Sequence, residues 1–288
     1  MARKNDFVAV EQRILGAFNK QAHQSFSEKT LTDFFSTNRE DWKISESKTK
    51  KMFVDFLLKQ EILRRVILTD QDGKQKTIFS RTTTENEFSI FTALHSNAYY
   101  THYSALFLNQ LTLQIPKAFY LNFEHSSIPV NQAISQEAID QAFSKEQRKA
   151  KKYFIYNGKK IFVVNGKNTE KLGVLQNVTH GYEYTDLERT LIDISIRPSY
   201  SGGVFEVLEA YKKAKRKADP QRLYDYLKQL KYIYPYHQVI GFYLEKAGYD
   251  EKTLKLFEKD IEFKFYLTYN IKNKEFSKRW NLYYPKGF

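Results

Sequence analysis

The sequence predicts an α/β protein of the mixed α+β kind. Apolar side chains recur at helical spacing in the first 60 residues, for example at Val10, Ile14 and Phe18. Extended runs follow, and Asn157-Gly158 separates two of them in the manner of a type I′ hairpin turn. Helical spacing returns after about residue 185 and continues through an aromatic, Lys-rich C-terminal stretch. Helices and strands in separate segments are typical of an α+β fold.

The composition limits both the size and the chemistry of the protein. With 288 residues, 42% of them hydrophobic, the chain is long enough for two or three folded domains. It contains no Cys, which excludes disulfides, thiolate zinc sites and Cys nucleophiles and suits a reducing compartment. Its 46 basic and 33 acidic residues give a net charge of +13, which favours a polyanionic partner such as nucleic acid.

Two missing signals bear on the location of the protein. The segment Met1–Asp6 is not followed by the continuous apolar region of a secretory signal peptide. We find no run of about 20 apolar residues free of charge, so no membrane association is expected. We therefore expect a cytoplasmic protein.

Three helices are expected in the first 60 residues. The first covers Asp6 to Gln21, where apolar residues form one stripe. The second is short and begins at Ser25–Glu28, whose Ser-x-x-Glu pattern is typical of a capping box. The third starts near Ser45, with an apolar inner face and a first turn rich in Lys and Ser.

A β-hairpin is expected directly after the third helix. The runs 61–68 and 76–81 are rich in β-branched and aromatic residues, and Asp72-Gly73 lies between them. Three helices followed by a basic hairpin is the order of a winged helix-turn-helix, so we expect a DNA-binding domain over 1–84.

The third helix and the hairpin supply the expected DNA contacts. Helix-turn-helix proteins insert the N-terminal end of this helix into the major groove, where Lys and Ser reach phosphates and base edges. The residues predicted to contact DNA are Ser47, Lys48, Lys50, Lys51, Arg65, Lys74 and Lys76. For each residue taken singly, an ordinary solvated side chain is the alternative.

A second domain is expected over 85–218 and a mainly helical extension over 219–288. The polar, Thr-rich stretch at 82–88 is a suitable linker between the first two domains. The expected elements are a helix over 103–111, extended segments over 118–123, 153–156 and 161–164, helices after residue 185 and over 204–217, and a possible strand over 261–271.

The segment Thr185–Asp193 packs four ionisable residues into two helical turns. Such a density is compatible with a catalytic or nucleotide-handling site. A structural interpretation is favoured by the spacing: Thr185 and Glu188 match a capping box, and Arg189 can reach Asp193 at i,i+4. Arg197-Pro198 should then end the helix.

Other patterns give no site. Gly166-Lys167-Asn168-Thr169 resembles the end of a P-loop but lacks the upstream Gly and the Ser or Thr after the Lys. The six His show no paired ligand spacing, and no Gly-x-Ser-x-Gly elbow is present. We therefore expect no metal, no cofactor and no catalytic residue.

Several motifs in order resemble the AbiEi family of abortive-infection antitoxins. They are Tyr100–Leu106, Leu111-Thr112, Ile115-Pro116, Thr185–Asp193 and the stretch from Arg197-Pro198 to Gly202-Gly203. The similarity covers roughly residues 1–217. Its most specific part is the string Asp-Leu-Glu-Arg-Thr-Leu-Ile-Asp, whereas the aromatic stretch after about Ala218 departs from the family pattern.

The resemblance implies a type IV antitoxin. It implies an N-terminal winged helix that represses its own operon at inverted repeats in double-stranded operator DNA. It also implies a C-terminal domain that counters a cognate nucleotidyltransferase-like toxin without requiring a stable complex. Carried over to this chain, the antitoxin motif consists of Asp186, Glu188, Arg189 and Asp193.

Two other functions remain open from the sequence. One is an enzyme that acts on nucleic acid or nucleotides through Asp186, Glu188, Arg189 and Asp193. The other is a ligand-responsive repressor unconnected to any toxin.

Overall fold

The computed structural model describes residues 6–125 and 134–288 and shows a mixed α+β fold. The chain forms two compact units. The first contains the described residues up to Ala98 together with Lys152–Ile161 and Gln176–Glu183. The second contains the described residues of Tyr99–Lys151, Phe162–Leu175 and Tyr184–Phe288.

Helices and strands alternate irregularly along the chain. In order they are a 3-10 turn (Val8–Val10), α1 (Glu11–Asn19), β1 (Ser25–Phe26), α2 (Glu28–Asn38), α3 (Lys50–Lys59), β2 (Leu63–Asp70), β3 (Gln75–Arg81), α4 (Glu87–Phe91), a 3-10 turn (Thr92–Leu94), β4 (Tyr99–Tyr100), α5 (His102–Leu108), β5 (Ala118–His125), α6 (Gln136–Phe143), β6 (Tyr153–Tyr156), β7 (Lys159–Lys167), β8 (Val174–Asn177), β9 (Tyr182–Thr185), α7 (Leu187–Ile196), a 3-10 turn (Pro198–Tyr200), α8 (Val204–Ala214), α9 (Pro220–Leu230), α10 (Tyr236–Lys246), α11 (Glu251–Phe257), β10 (Phe265–Tyr266), β11 (Lys274–Ser277) and β12 (Leu282–Pro285).

The helices of the first unit pack on an aromatic core. Phe35 of α2 stacks on Phe53 of α3 with ring centroids 4.8 Å apart. Phe7 contacts both rings and also stacks on Phe56 at 5.4 Å. In the connection between α2 and α3, Ile44 is buried in the same core. Because aromatic side chains bury large apolar areas, this core fixes α3 against α2.

The sheet of the first unit has the strand order β1-β3-β2-β6. β2 and β3 form an antiparallel hairpin, and β3 also pairs with β1 through Phe26 and Phe79. On the other side, Thr69 of β2 pairs with Ile155 of β6. The hairpin is therefore paired along both edges, and the strand beside β2 comes from a distant part of the sequence.

The core of the second unit surrounds α7. Every residue of this helix from Glu188 to Ser195 is buried, and α8, α9 and α10 pack against it. In α10, a Cβ at Gly241 would lie 2.1 Å from the Trp280 ring, so only glycine fits between the helix and that indole. The helices before and after residue 218 thus share one hydrophobic core.

The last part of the chain is less helical than the sequence indicates. Only β10 falls in the predicted strand range 261–271, and its two residues pair in parallel with β12. β11 and β12 form an antiparallel pair that the aromatic, Lys-rich pattern did not predict. The expected division into 1–84, 85–218 and 219–288 also differs from the two units observed, because the core around α7 includes α9 and α10.

Several local predictions agree with the structure. The expected three helices and hairpin occur in order as α1, α2, α3, β2 and β3. β6 covers the predicted range 153–156, and Asn157 and Gly158 both have positive φ, as a type I′ turn requires.

Both predicted capping boxes are wrong. Ser25 lies in β1, and Ser27 caps α2 by accepting a hydrogen bond from the Thr30 amide. At α7 the cap is Asp186, whereas the Thr185 hydroxyl bonds to the Thr190 hydroxyl. The Ser/Thr-x-x-Glu spacing was present in both places, but neighbouring side chains provided the caps.

The third helix also starts later than predicted, since α3 begins at Lys50 rather than near Ser45. Within the described ranges, no helix is long and apolar enough to cross a membrane.

Candidate functional site

The candidate nucleic-acid interface begins at the N-terminus of α3. Thr49 caps the helix by accepting a hydrogen bond from the Met52 amide at 3.2 Å. Lys50 and Lys51 occupy the first turn, are exposed, and have no acidic residue beside them in that turn. Lysines at the positive end of a helix dipole are unfavourable by about 0.3–1 kcal/mol each. A phosphate bound at this helix end would interact favourably with both the helix dipole and the two lysines, which offsets this cost.

Ser47 and Lys48 lie in the turn before α3, not in the helix. The Ser47 hydroxyl is 2.9 Å from the Ser45 hydroxyl and is exposed. The Lys48 ammonium lies 3.0 Å from the Asp6 carboxylate and over the Phe7 ring. The hydrogen bond from Lys48 holds the pKa of Asp6 below its usual range. Lys48 is therefore less available to a DNA phosphate than Lys50 or Lys51.

Lys74 and Lys76 of the β2–β3 hairpin, both predicted to contact DNA, differ in how exposed their side chains are. Lys74 lies in the turn and is exposed; its backbone amide donates to the Asp70 carboxylate at 2.8 Å. Lys76 is half-buried, and its ammonium contacts the Leu94 carbonyl and the Phe154 ring. The side chain of Lys76 therefore packs within the first unit, whereas that of Lys74 is open to solvent.

Arg65 connects the hairpin to α3. Its guanidinium lies 3.9 Å from the carboxylate of Asp55 on α3, and both side chains are more than half exposed. Exposed pairs of this kind contribute little to stability. The contact nevertheless shows that β2 runs beside α3, which brings Arg65 to the same part of the first unit as the helix.

The predicted antitoxin motif lies in and just before α7, where it is buried. Asp186 caps the helix by accepting from the Arg189 amide at 2.8 Å and also accepts from the Tyr226 hydroxyl at 3.0 Å. Burial raises the pKa of Asp186, although these two hydrogen bonds oppose the shift. The bond from the Arg189 amide satisfies the first turn of α7, and the bond from Tyr226 connects the start of α7 to α9.

Glu188 connects α7 to α9. Its carboxylate is completely buried and accepts from the Asp219 amide at 2.8 Å. It also receives a hydrogen bond from Arg222, a half-exposed residue of α9. Glu188 therefore organises the N-terminus of α9 and is not open to a substrate.

Arg189 and Asp193 form the predicted i,i+4 ion pair, with Nε 2.9 Å from a carboxylate oxygen. The other oxygen of Asp193 accepts from the Thr101 hydroxyl at 2.7 Å, and Arg189 donates to the Leu172 carbonyl at 2.9 Å. Burial lowers the pKa of Arg189, but the charge of Asp193, the nearby Tyr232 and Tyr99 and the hydrogen bond to Asp193 together outweigh burial, so the net shift is upward. The pair holds the start of α5, α7 and the segment before β8 together.

Arg189 and Asp193 also line a cavity of the second unit. Asp186 and Glu188 are not part of its wall. Sequence reasoning missed the other polar residues of its wall, among them His102, Arg197 and Lys231. The run from Tyr232 to Tyr236, which places three tyrosines in five residues, was a usable signal, because all three line the cavity.

Comparisons with known proteins give a structural likeness but no family. No family model matches the chain, and no curated protein matches it. The crystal structure of RV2827C protein from Mycobacterium tuberculosis is similar, with a TM-score of 0.54 and 10% sequence identity over 98% of this chain and 93% of that one. At this identity the likeness supports the mixed α+β fold and nothing about function.

Proposed function

We propose that this protein is a cytoplasmic, DNA-binding repressor of its own operon and a type IV antitoxin of the AbiEi kind. Its partners would be double-stranded operator DNA and a cognate nucleotidyltransferase-like toxin. The DNA-binding part is supported by the first unit, and the antitoxin part by the resemblance over residues 1–217.

The element order of the first unit supports a winged helix-turn-helix. α2 and α3 pack together, the β2–β3 hairpin follows, and the short β1 pairs with β3. In such a domain α3 is the recognition helix and the hairpin is the wing.

The observation that carries the DNA-binding proposal is the pair Lys50 and Lys51. Both are exposed in the first turn of α3, where the helix dipole disfavours them unless an anion is present. Arg65 and Lys74 add positive charge on β2 and at the hairpin turn. This distribution suits a duplex whose backbone is contacted by both helix and hairpin.

The test of DNA binding uses fluorescence anisotropy with the DNA immediately upstream of the gene. We expect the double variant Lys50→Ala/Lys51→Ala to lose at least about tenfold in affinity, because two phosphate contacts are removed. The matched control is Lys59→Ala, which removes an exposed lysine from the opposite end of α3. Equal affinity of the wild type and the double variant would contradict the assignment of this surface.

The antitoxin part is tested separately by growth rescue. The reading frame adjacent to the gene is expressed alone, where a toxin should arrest growth, and then together with this chain. We expect the Lys50→Ala/Lys51→Ala variant to rescue growth as well as the wild type when both are expressed from an independent promoter. If the wild-type chain does not restore growth, the antitoxin proposal fails while DNA binding stands.

A further inference from the structure

The cavity of the second unit combines cationic and aromatic side chains. Its volume is about 650 Å³, and α7 forms part of its wall. Sites that enclose cofactors and other small ligands commonly measure about 300–1,000 Å³. The cavity is therefore large enough for an organic molecule.

The cavity wall is strongly positive. Four cationic residues line it, namely Lys167, Arg189, Arg197 and Lys231. Among the described residues of the wall, the opposing carboxylate is Asp193, and it is already paired with Arg189. A surplus of cations in a concave site attracts anions and raises their local concentration.

Several donors on these cations are not used within the protein. Arg189 donates through Nε and one terminal nitrogen, so its second terminal nitrogen has no partner among the described residues. Arg197 donates through one terminal nitrogen to the Arg148 carbonyl. Lys231 ends α9 and is exposed at the rim. Guanidinium and ammonium donors with free N–H groups are those that bind phosphate.

Aromatic residues form another part of the wall. Tyr232, Tyr234, Tyr236 and Tyr269 all line the cavity. Burial raises the pKa of Tyr232, so its hydroxyl stays protonated and can donate a hydrogen bond. Tyrosine rings provide flat apolar faces on which a planar base can stack.

Asn122 and His102 are two of the other polar residues in the wall. The side-chain amide of Asn122 donates to the Tyr99 hydroxyl at 2.7 Å. Gly166 lies so close to Asn122 that a Cβ at position 166 would clash with its amide group. His102 is buried, and its Nδ1 has no hydrogen-bond partner within the described part of the chain. It also has a positive φ of 52°, a strained conformation for a non-glycine residue. A buried, unsatisfied nitrogen beside a cavity is a specific place for a ligand to bond.

We infer that this cavity binds a nucleotide, with its phosphates at Arg189, Arg197 and Lys231 and its base against the tyrosines. The size of the cavity, its surplus of cations and its tyrosine side chains each match one part of such a ligand. A free phosphate would use the cations alone, and an uncharged nucleoside would use the rings alone. The combination distinguishes a nucleotide from both.

The test is isothermal titration calorimetry of the full chain with ATP, GTP, CTP and UTP, with the four nucleosides and inorganic phosphate as further probes. We expect at least one nucleotide to bind, and its nucleoside and phosphate to bind at least tenfold more weakly. The Arg197→Ala/Lys231→Ala variant should bind that nucleotide about 10- to 100-fold more weakly, as expected when charge-assisted hydrogen bonds are lost.

The matched control is Lys213→Ala/Arg216→Ala, which removes two exposed cations near the end of α8 away from the cavity. It should bind as the wild type does. If no nucleotide binds, if both double variants lose affinity equally, or if phosphate binds as tightly as the nucleotide, the inference is wrong. Lys231→Gln alters only an exposed side chain and provides the same test if the Arg197 variant does not fold.

Discussion

The charges at the start of α3 and those of α7 are similarly dense in the sequence, but the fold uses them in opposite ways. Lys50 and Lys51 are exposed and lie at the helix end where the dipole disfavours them. Glu188 and Asp193 are buried, and each accepts hydrogen bonds from more than one partner. The two sets of charges differ in burial, which cannot be read directly from the sequence. Exposed charges can bind a partner, whereas buried charges connect elements within the fold.

The first prediction, with the greatest loss of stability, asks whether the buried charged residues of α7 stabilise the fold. Asp193→Ala leaves Arg189 buried without its partner and removes the acceptor for Thr101. We expect a loss of about 3–5 kcal/mol in the free energy of unfolding, measured by urea denaturation. The control is Glu209→Ala, which breaks the exposed ion pair with Lys212 and should cost at most about 0.5 kcal/mol. Similar losses in both variants would contradict the distinction drawn from burial.

A second prediction concerns His102, whose burial lowers its pKa to about 4. The unfolded chain takes up a proton near pH 6.5, whereas the folded chain takes it up near pH 4. The contribution of His102 is therefore fully present above pH 6.5 and is lost as the pH falls towards 4, by about 3 kcal/mol.

The measurement is the free energy of unfolding at several pH values between 7 and 4. His102→Gln should lose stability less steeply over this range than the wild type does. His180→Gln removes an exposed imidazole of the first unit and serves as the control. Parallel curves for the wild type and His102→Gln would show that this residue does not cause the pH dependence.

A third prediction, with a smaller effect, concerns the N-cap residues of α3 and α7. Thr49 is exposed and its hydroxyl accepts one backbone hydrogen bond, so Thr49→Ala should cost about 1 kcal/mol. Asp186 is buried and also accepts from Tyr226, so Asp186→Ala should cost more. Thermal unfolding of both variants checks the order. A larger loss for Thr49→Ala would reverse the expected difference between the helices.

The smallest effect on stability is expected at Lys50 and Lys51. Because both are exposed and unfavourably placed in the dipole, Lys50→Ala/Lys51→Ala should not destabilise the fold and should raise the unfolding free energy by about 0.6 kcal/mol at the lower limit of the dipole effect. If the proposed DNA contact is correct, the slope of log affinity against log salt should become shallower by about two units. A stability loss as large as that of Asp193→Ala would indicate that these lysines are structural.

Local signals predicted much of the fold and part of the candidate site. The helix-hairpin order of the first unit followed from periodicity, and the Arg189–Asp193 pair followed from i,i+4 spacing. The capping boxes failed because Ser27 and Asp186, one or two residues away, provided equivalent oxygens. The strands β11 and β12 were missed because each has four residues, a length over which helical and extended periodicity cannot be distinguished.

The basic charge followed from composition, and the mixed α+β class, the Asn157-Gly158 turn and the helical segments could be predicted because each depends on neighbours within a few residues. Long-range packing, in contrast, placed β6 in the sheet of the first unit and made α9 and α10 part of the core around α7. It also brought His102, Arg189, Arg197 and Lys231 around one cavity. Such contacts join residues far apart in the chain, and no local pattern encodes which distant segment will be buried against which.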